Sequence, residues 1–397
     1  MDTDKKNSAV ILGSNYYIAL NAMRALGKKG IKVIGVDYNK KDAYALSSKY
    51  CSEELILPHY KYKKNEFIEG LIDFAKEEHS KPVLIPCADP YVEVIDEFRD
   101  ELLKYYLLPP IEKGLTVNLL NKDSLHDIAR EHDVKVPEII WLKDNDILRE
   151  VEKKFGYPCL LKPANSHQFV ETFRQKMFIA NNKEELDEAI KKVEEKGIEA
   201  FVQRIIPGPD SNMHTFDCYI DTSGEVSHYT TCQKKRQYPI NYGASVYTGQ
   251  KYFPELYDIG ASFLKEIGYR GFAEIEFKKD EESKDFYLIE VNVRLTNFDV
   301  LLQKIDLNMP YIMYKDLVGE PLKPKAIKDD TNVHFWYAYE DILAIRNYLK
   351  TGQLSLKDIL VSLKHRKAYA IWSVKDPIPF IKFSQKIFKK VINKIKK

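Results

Sequence analysis

Two short stretches constrain this chain most: "GFAEIEFKKD" at 271–280 and "FYLIEVNVRL" at 286–295. Each alternates apolar and polar side chains, the period of a strand whose two faces meet different surroundings. In the second, Tyr287, Ile289, Val291, Val293 and Leu295 share one face, and Glu290, Asn292 and Arg294 share the other. The charged linker "EESKD" joins the two as neighbouring strands, which lines up Glu274 and Glu276 with the acid, the amide and the guanidinium. So continuous an apolar face has to cover a core. A merely solvated strand with cross-strand charge pairs does not account for it, and the polar row is left for chemistry. Two carboxylates and an amide oxygen are hard ligands suited to Mg²⁺. A guanidinium on the same face is a fork for phosphate.

The rest of the chain sorts by pattern. Strand-like runs at 9–13, 31–37, 54–58 and 82–87 alternate with helical runs at 16–30 and 65–79. That alternation implies a parallel sheet with helices on both faces. From about Asn121 the pattern becomes mixed α+β. Helices are expected at 121–134, 145–156, 183–197 and 254–267, and strands at 138–142, 159–163, 177–180 and 200–208. "HTFDCYI" and "EVSHYTT" follow, joined by the turn "DTSG". The segment "ANSHQFVETFRQK" reads as a polar loop, and everything after about 326 reads as helical, including the run 356–372.

Composition excludes more than it names. A net charge of +2 over 397 residues gives no general case for nucleic-acid binding. Five scattered cysteines without a CxxC pair argue against a zinc site or a disulfide scaffold and fit a reducing cytosol. The polar start "MDTDKKNSAVILG" is not a signal peptide, and no apolar run approaches the ~18 residues of a membrane span. No Ser-His-Asp or Cys-His set stands out.

Single residues carry weaker signals. Lys162 ends a strand in "YPCLLKPAN", where Pro163 fixes the turn, and Lys122 opens a helix in "NKDSLHDIA". Each alone is an ordinary surface lysine, but together with a metal they supply the charge that a nucleoside triphosphate needs. In "FVQRIIPGPDSN", Gln203 fits an adenine edge and Asp210 a ribose.

In this order, "NKDSLHDIA", "YPCLLKP", "FVQRIIPG", "GFAEIEFKKD" and "LIEVNVR" resemble the ATP-grasp superfamily, most closely its carboxylate–amine ligase branch, with a likeness to D-aspartate ligases. The resemblance implies a Rossmann-like preceding domain at 1–120 and a two-lobed ATP-grasp domain at 121–325, with lobes of about 121–202 and 203–325 that clamp ATP. A helical C-terminal extension at 326–397 follows. It implies ATP and Mg²⁺ as cofactors, with Mn²⁺ as a substitute. Lys122 and Lys162 would then meet the α- and β-phosphates. Gln203 with the backbone of Arg204 and Ile205 would hold adenine, and Asp210 the ribose. Glu276, Glu290 and Asn292 would be the magnesium ligands. Arg294 would stabilise the acylphosphate or the tetrahedral intermediate, and Arg236, in "KKRQYP", would be a second phosphate-contacting arginine. The implied reaction activates a carboxylate as an acylphosphate, which an amine then converts to an amide. An amino acid such as D-aspartate joined to a cell-wall-related peptide is one pairing. An amino-acid or dipeptide ligase of small-molecule biosynthesis and a catalytically inactive nucleotide-binding protein at the membrane surface are the alternatives. The segment 164–176 departs from the family by lacking the glycines of its phosphate-covering loop.

The first strand–helix unit keeps only Gly13 of the three glycines in a dinucleotide fingerprint, so a cofactor-free Rossmann domain is favoured over NAD binding at Asp37. Gly13, Ser14 and Asn15 are expected to open a helix and offer backbone donors to a substrate, with Asp89 at the same sheet edge. The tail 380–397 combines seven lysines, no acid and apolar residues at helical spacing. It reads equally as a basic amphipathic helix for peripheral contact with the inner face of a membrane and as a helix packed on the body with its lysines in water, or a frayed tail. The chain is therefore expected in the cytoplasm, compatible with a homodimer, acting on small-molecule carboxylates and amines, free or lipid- or wall-linked, and not on nucleic acid.

Overall fold

The computed structural model describes residues 6–143, 146–164 and 166–395. It divides into two compact units. The larger comprises Met1–Leu120, Pro209–Glu276 and Val291–Lys397; the smaller comprises Asn121–Gly208 and Phe277–Glu290.

The larger unit opens with the expected parallel sheet. Its strands stand in the order Glu53–Ile56, Val33–Asp37, Ala9–Leu12, Val83–Pro86. Ala9–Leu12 is buried at every position, as a central strand covered on both faces must be. Helices Tyr17–Gly27 and Lys64–Glu77 supply the cover. A second sheet runs in the order Phe286–Asn292, Gly271–Lys279, Met213–Ile220, Val226–Tyr238, Ala244–Gln250, Val333–Trp336, Arg366–Tyr369. The two sequence stretches read first are thus neighbouring strands. The basic run "QKKRQY" is strand as well, with register shifts on either side of Arg236.

After residue 326 the chain is not wholly helical. Val333–Trp336 and Arg366–Tyr369 pair in parallel, and the run read as one helix stops at Leu363. Ala368 and Ala370 are buried where Tyr369 is exposed, so period-two burial prevails there over helical propensity. Helices Ala338–Lys350, Leu356–Leu363 and Ile378–Ile395 make up most of the remainder. A buried ion pair ties this segment to the first helix. Arg24 Nε donates to Asp376 at 2.9 Å, Arg24 Nη1 donates to the Ile371 carbonyl at 2.7 Å, and Asp376 also accepts from Ser48 Oγ at 2.7 Å.

The smaller unit is an antiparallel sheet ordered Ile139–Trp141, Ala200–Arg204, Cys159–Pro163, Phe178–Ala180. Its core gathers Ile140, Val151, Leu161, Phe169, Leu186 and Val202. The expected polar loop is instead helix Ser166–Phe173. Phe169 is fully buried and meets Phe173 at 4.7 Å and Phe178 at 5.2 Å between ring centroids. Aromatic pairing at i,i+4 stabilises a helix, and burial of Phe169 fixes which face turns inward.

Candidate active site

The polar row forms on the paired strands Phe286–Asn292 and Gly271–Lys279, the second of which adjoins Met213–Ile220. Lys234, almost fully buried, places Nζ 2.5 Å from Glu276 Oε1. Asn292 Nδ2 donates to Glu274 Oε1 at 3.0 Å. That bond fixes the amide and turns its carbonyl oxygen away from Glu274. Behind this pair lies Asp217, which accepts from Thr215 Oγ1 at 2.6 Å. Glu274 Oε2 and Asp217 Oδ1 are buried with no donor among the described residues. Burial pushes the Glu274 carboxyl well above the usual carboxylate range, and the neighbouring Asp217 adds to the shift. Burial likewise pushes Asp217 up to about 7. Two neighbouring carboxyls in one dry site resist ionising together. Asp299, also buried, is pushed up to about 7.

Arg294 is held from outside the strand pair. Its Nε and Nη2 donate to Asp89 Oδ1 and Oδ2 at 2.6 and 3.2 Å, and its Nη1 donates to the Leu295 carbonyl at 3.2 Å. Asp89 begins helix Asp89–Glu97, so the first sheet's carboxyl edge positions this guanidinium. A cavity of about 60 Å³ is lined by Arg294, Arg99, Val92, Ile95, Phe272 and Met313 among others.

Three expectations need correction. Arg236 is not a free phosphate ligand. Its Nε and Nη2 donate to the Asp341 carboxylate at 2.6 and 2.7 Å, both residues are buried, and the guanidinium stacks 4.0 Å over the Tyr247 ring. Asp210 is buried too, and its Oδ2 accepts from the Tyr348 hydroxyl and from the Asn241 amide, which ties down the carboxylate offered for a ribose. Gly13, Ser14 and Asn15 do not present free donors. The Gly13 and Ser14 amides both donate to the Val36 carbonyl, at 3.1 and 3.2 Å, as does Ser14 Oγ at 2.9 Å. The Asn15 amide serves Asp37, whose buried carboxylate also takes the Asn39 amide and is unsuited to a ribose. The helix starts only at Tyr17. Gly13 is required by its φ of +92° and by the Tyr91 ring, 3.1 Å from where a Cβ would lie.

In the smaller unit, Lys162 is buried on its strand and Gln203 is buried on the adjoining one, opposite Leu160. The Arg204 amide donates to the Glu138 carbonyl at 2.9 Å, its guanidinium pairs with Glu138 and Asp280, and it lies over the Tyr287 ring. Ile205 follows directly after the strand ends, where the sheet ladder no longer claims its backbone. Lys122 is the first residue of helix Lys122–Glu131, whose cap Asn121 accepts from the Asp123 and Ser124 amides. His126, one turn on, is buried and pushed down to about 4 by burial and then by Arg130, Lys162 and Lys122. Both candidate phosphate lysines thus act on the same imidazole. His126, Lys234 and Asp217 were absent from the sequence-derived set. The i,i+4 spacing of Lys122 and His126 was a usable signal for the first, and strand alternation in "HTFDCYI" for Asp217.

The site fits Mg²⁺. Glu276 keeps one oxygen outside its bond to Lys234, Asn292 has its carbonyl oxygen turned from Glu274, and Glu290 precedes Asn292 by two residues on the same strand face. Among the described residues no three His, Cys, Asp or Glu side chains cluster as ligands; this set has two carboxylates and an amide.

The sheets give the chain a mixed α/β fold like that of ATP-grasp proteins. Residues 121–306 match the family model of the carbamoyl-phosphate synthase L chain, ATP binding domain. The chain is 29% identical over 314 residues to the D-aspartate ligase of Enterococcus faecium (strain Aus0004), covering 72% of this chain and 75% of that protein. It is 22% identical over 247 residues to the D-alanine–D-alanine ligase of Clostridium novyi (strain NT), covering 59% and 62%. Among solved structures it is similar to the biotin carboxylase domain of Hydrogenobacter thermophilus 2-oxoglutarate carboxylase, crystallised with MgADP, ADP and bicarbonate. The TM-score is 0.65 at 19% identity, over 83% of this chain and 74% of that one, which is a likeness of fold.

Proposed function

We propose that this protein is an ATP- and Mg²⁺-dependent ligase that joins a carboxylate to an amine through an acylphosphate. The observation that carries the reading is the oriented row Glu276, Glu290 and Asn292 on paired strands, with Arg294 two residues past the strand end, within the segment that matches the ATP-binding family model. Lys122 and Lys162 are assigned to the α- and β-phosphates, and Gln203 with the backbone at Arg204 and Ile205 to adenine. Bound Mg²⁺ would neutralise phosphate charge during in-line transfer. Glu276, Glu290 and Asn292 would hold it. Lys234 balances Glu276 when the metal is absent. Arg294, aimed by Asp89, would meet the charge that develops on the substrate carboxyl as it becomes an acylphosphate. The amine then displaces phosphate, and no protein nucleophile is required.

The relatives' names favour an amino acid as substrate, and the D-aspartate ligase makes D-aspartate the first carboxylate to test, with an amine-bearing cell-wall peptide as acceptor. We infer a cytoplasmic location for this reaction. The test is ADP release across D- and L-amino acids paired with such peptides, with product masses recorded. Glu290→Ala should abolish substrate-dependent ADP release at an unchanged melting temperature. An active Glu290→Ala protein would sink the metal assignment.

A further inference from the structure

The last sixty residues concentrate two properties that the rest of the chain keeps apart. Among the described residues, fourteen of the nineteen exposed large hydrophobic side chains lie at or beyond Tyr339. From the same point the chain holds fourteen lysines and arginines against four acids, although the whole chain is only +2. Two of those acids, Asp341 and Asp376, are buried against Arg236 and Arg24. A third, Asp358, is spent in the capping box of helix Leu356–Leu363.

That helix is inverted relative to a surface helix of a globular body. Its only buried residue is Ser362. Leu356, Leu360 and Leu363, spaced i, i+4, i+7, are 70%, 62% and 63% exposed. Helix Ile378–Ile395 divides its faces differently. Phe383 meets the Tyr44 ring at a tilt and the Tyr339 ring edge-on, and Lys386 pairs with Asp42 at 2.7 Å, so one side is anchored to the body. Ile378, Ile381 and Phe388 are exposed, and Lys382, Lys389 and Lys390 stand beside them. Trp372 and Val374, in the connection, are exposed as well.

We propose that this C-terminal face is a peripheral docking surface for an anionic lipid bilayer, with the leucines of 356–363 and the apolar residues of 372–388 entering the interface and the lysines meeting headgroups. Apolar insertion and lysine attraction each add to such binding. No helix among the described residues is long and apolar enough to cross a membrane, so the contact is peripheral. Charge argues against a second copy as the occupant. A two-fold interface sets the same patch against itself, and here each side would bring Lys382, Lys389 and Lys390, with no acid in 377–397, to the other. The inference does not depend on the ligase reading.

The test is co-sedimentation of the full chain with phosphatidylcholine vesicles with and without phosphatidylglycerol, over a salt series. Binding is expected only with phosphatidylglycerol and should weaken as salt rises. Lys382→Gln/Lys389→Gln/Lys390→Gln should weaken it about 100-fold, at roughly a tenfold loss for each one to two lysines. Leu356→Gln/Leu360→Gln/Leu363→Gln should weaken it about tenfold or more at constant charge. All six side chains are exposed, so both variants should keep the parent's unfolding midpoint and its ADP release with soluble substrates. Absence of binding, or equal binding to both vesicle types, overturns the proposal. So does a concentration-dependent dimer that the leucine variant abolishes, which would assign the face to a second copy.

Discussion

Replacing Arg236 by methionine separates an anchor from a phosphate ligand. Arg236 and Asp341 are 4% and 1% exposed, and their two hydrogen bonds form a fork. Removing the guanidinium leaves a buried carboxylate without its cation, a loss of about 3–5 kcal/mol. Trp336 Nε1 still donates to Asp341 at 2.8 Å, which places the expected loss near the lower end, about 3 kcal/mol, or roughly 100-fold in the folding equilibrium. The assay is urea unfolding, where the midpoint should fall at constant m. Arg236→Met/Asp341→Leu should recover much of the loss, because a buried pair exchanged for apolar groups is close to neutral whereas half a pair is not. ADP release should decline only as far as the folded fraction does. If Arg236→Met keeps the parent's midpoint and loses ADP release outright, the guanidinium serves the substrate and the anchoring argument fails.

Two further perturbations probe the cores of the two units. Asp299→Asn bears on pH dependence. Its folded carboxyl, raised to about 7, keeps a proton that the unfolded chain releases near pH 4, so its contribution to stability falls as pH rises between about 4 and 7 and levels off above. The asparagine variant should lack that decline, and parallel wild-type and variant stability curves across this window would refute the burial argument. In the smaller unit, Phe169→Ala should cost about 3–5 kcal/mol through the cavity it leaves and should open helix Ser166–Phe173 to limited proteolysis; an unchanged cleavage pattern would show that Phe169 does not pin it.

The elements that could be read from the sequence were those whose burial follows a local period. The four parallel strands announce themselves as apolar runs between turn residues, and 271–280 and 286–295 as alternating stretches, so their pairing followed from a short linker. Ala244–Gln250 escaped because six of its seven residues are buried without alternation. Helix Ser166–Phe173 escaped because its sequence is largely polar, and Phe169 and Phe173 act only once Phe178 is folded against them. Charges were harder to place than elements. "QKKRQY" looks like a solvated basic run, yet Lys234 and Arg236 are buried, each matched by a carboxylate far along the chain. No local pattern encodes those partners. They come from strand order and from helix Ala338–Lys350 reaching back over the sheet.

That long-range pairing also explains why the polar row holds an amide where a third carboxylate would suffice for metal binding. Burial raises both Glu274 and Asp217, so the inner part of the row is poorly suited to serve as a pair of ionised ligands. Its work is positional. Glu274 Oε1 takes the Asn292 Nδ2 donor, and the amide's other end is thereby turned from Glu274 as an acceptor. An aspartate at 292 would bring an acceptor to that same oxygen and break the orientation that the buried pair imposes. The outer residues, Glu276 with its Lys234 counter-charge and Glu290 two positions before the amide, are less deeply buried than the pair behind them. The apolar face of the strand fixes where the row stands, and the buried acids behind it fix which atoms it presents.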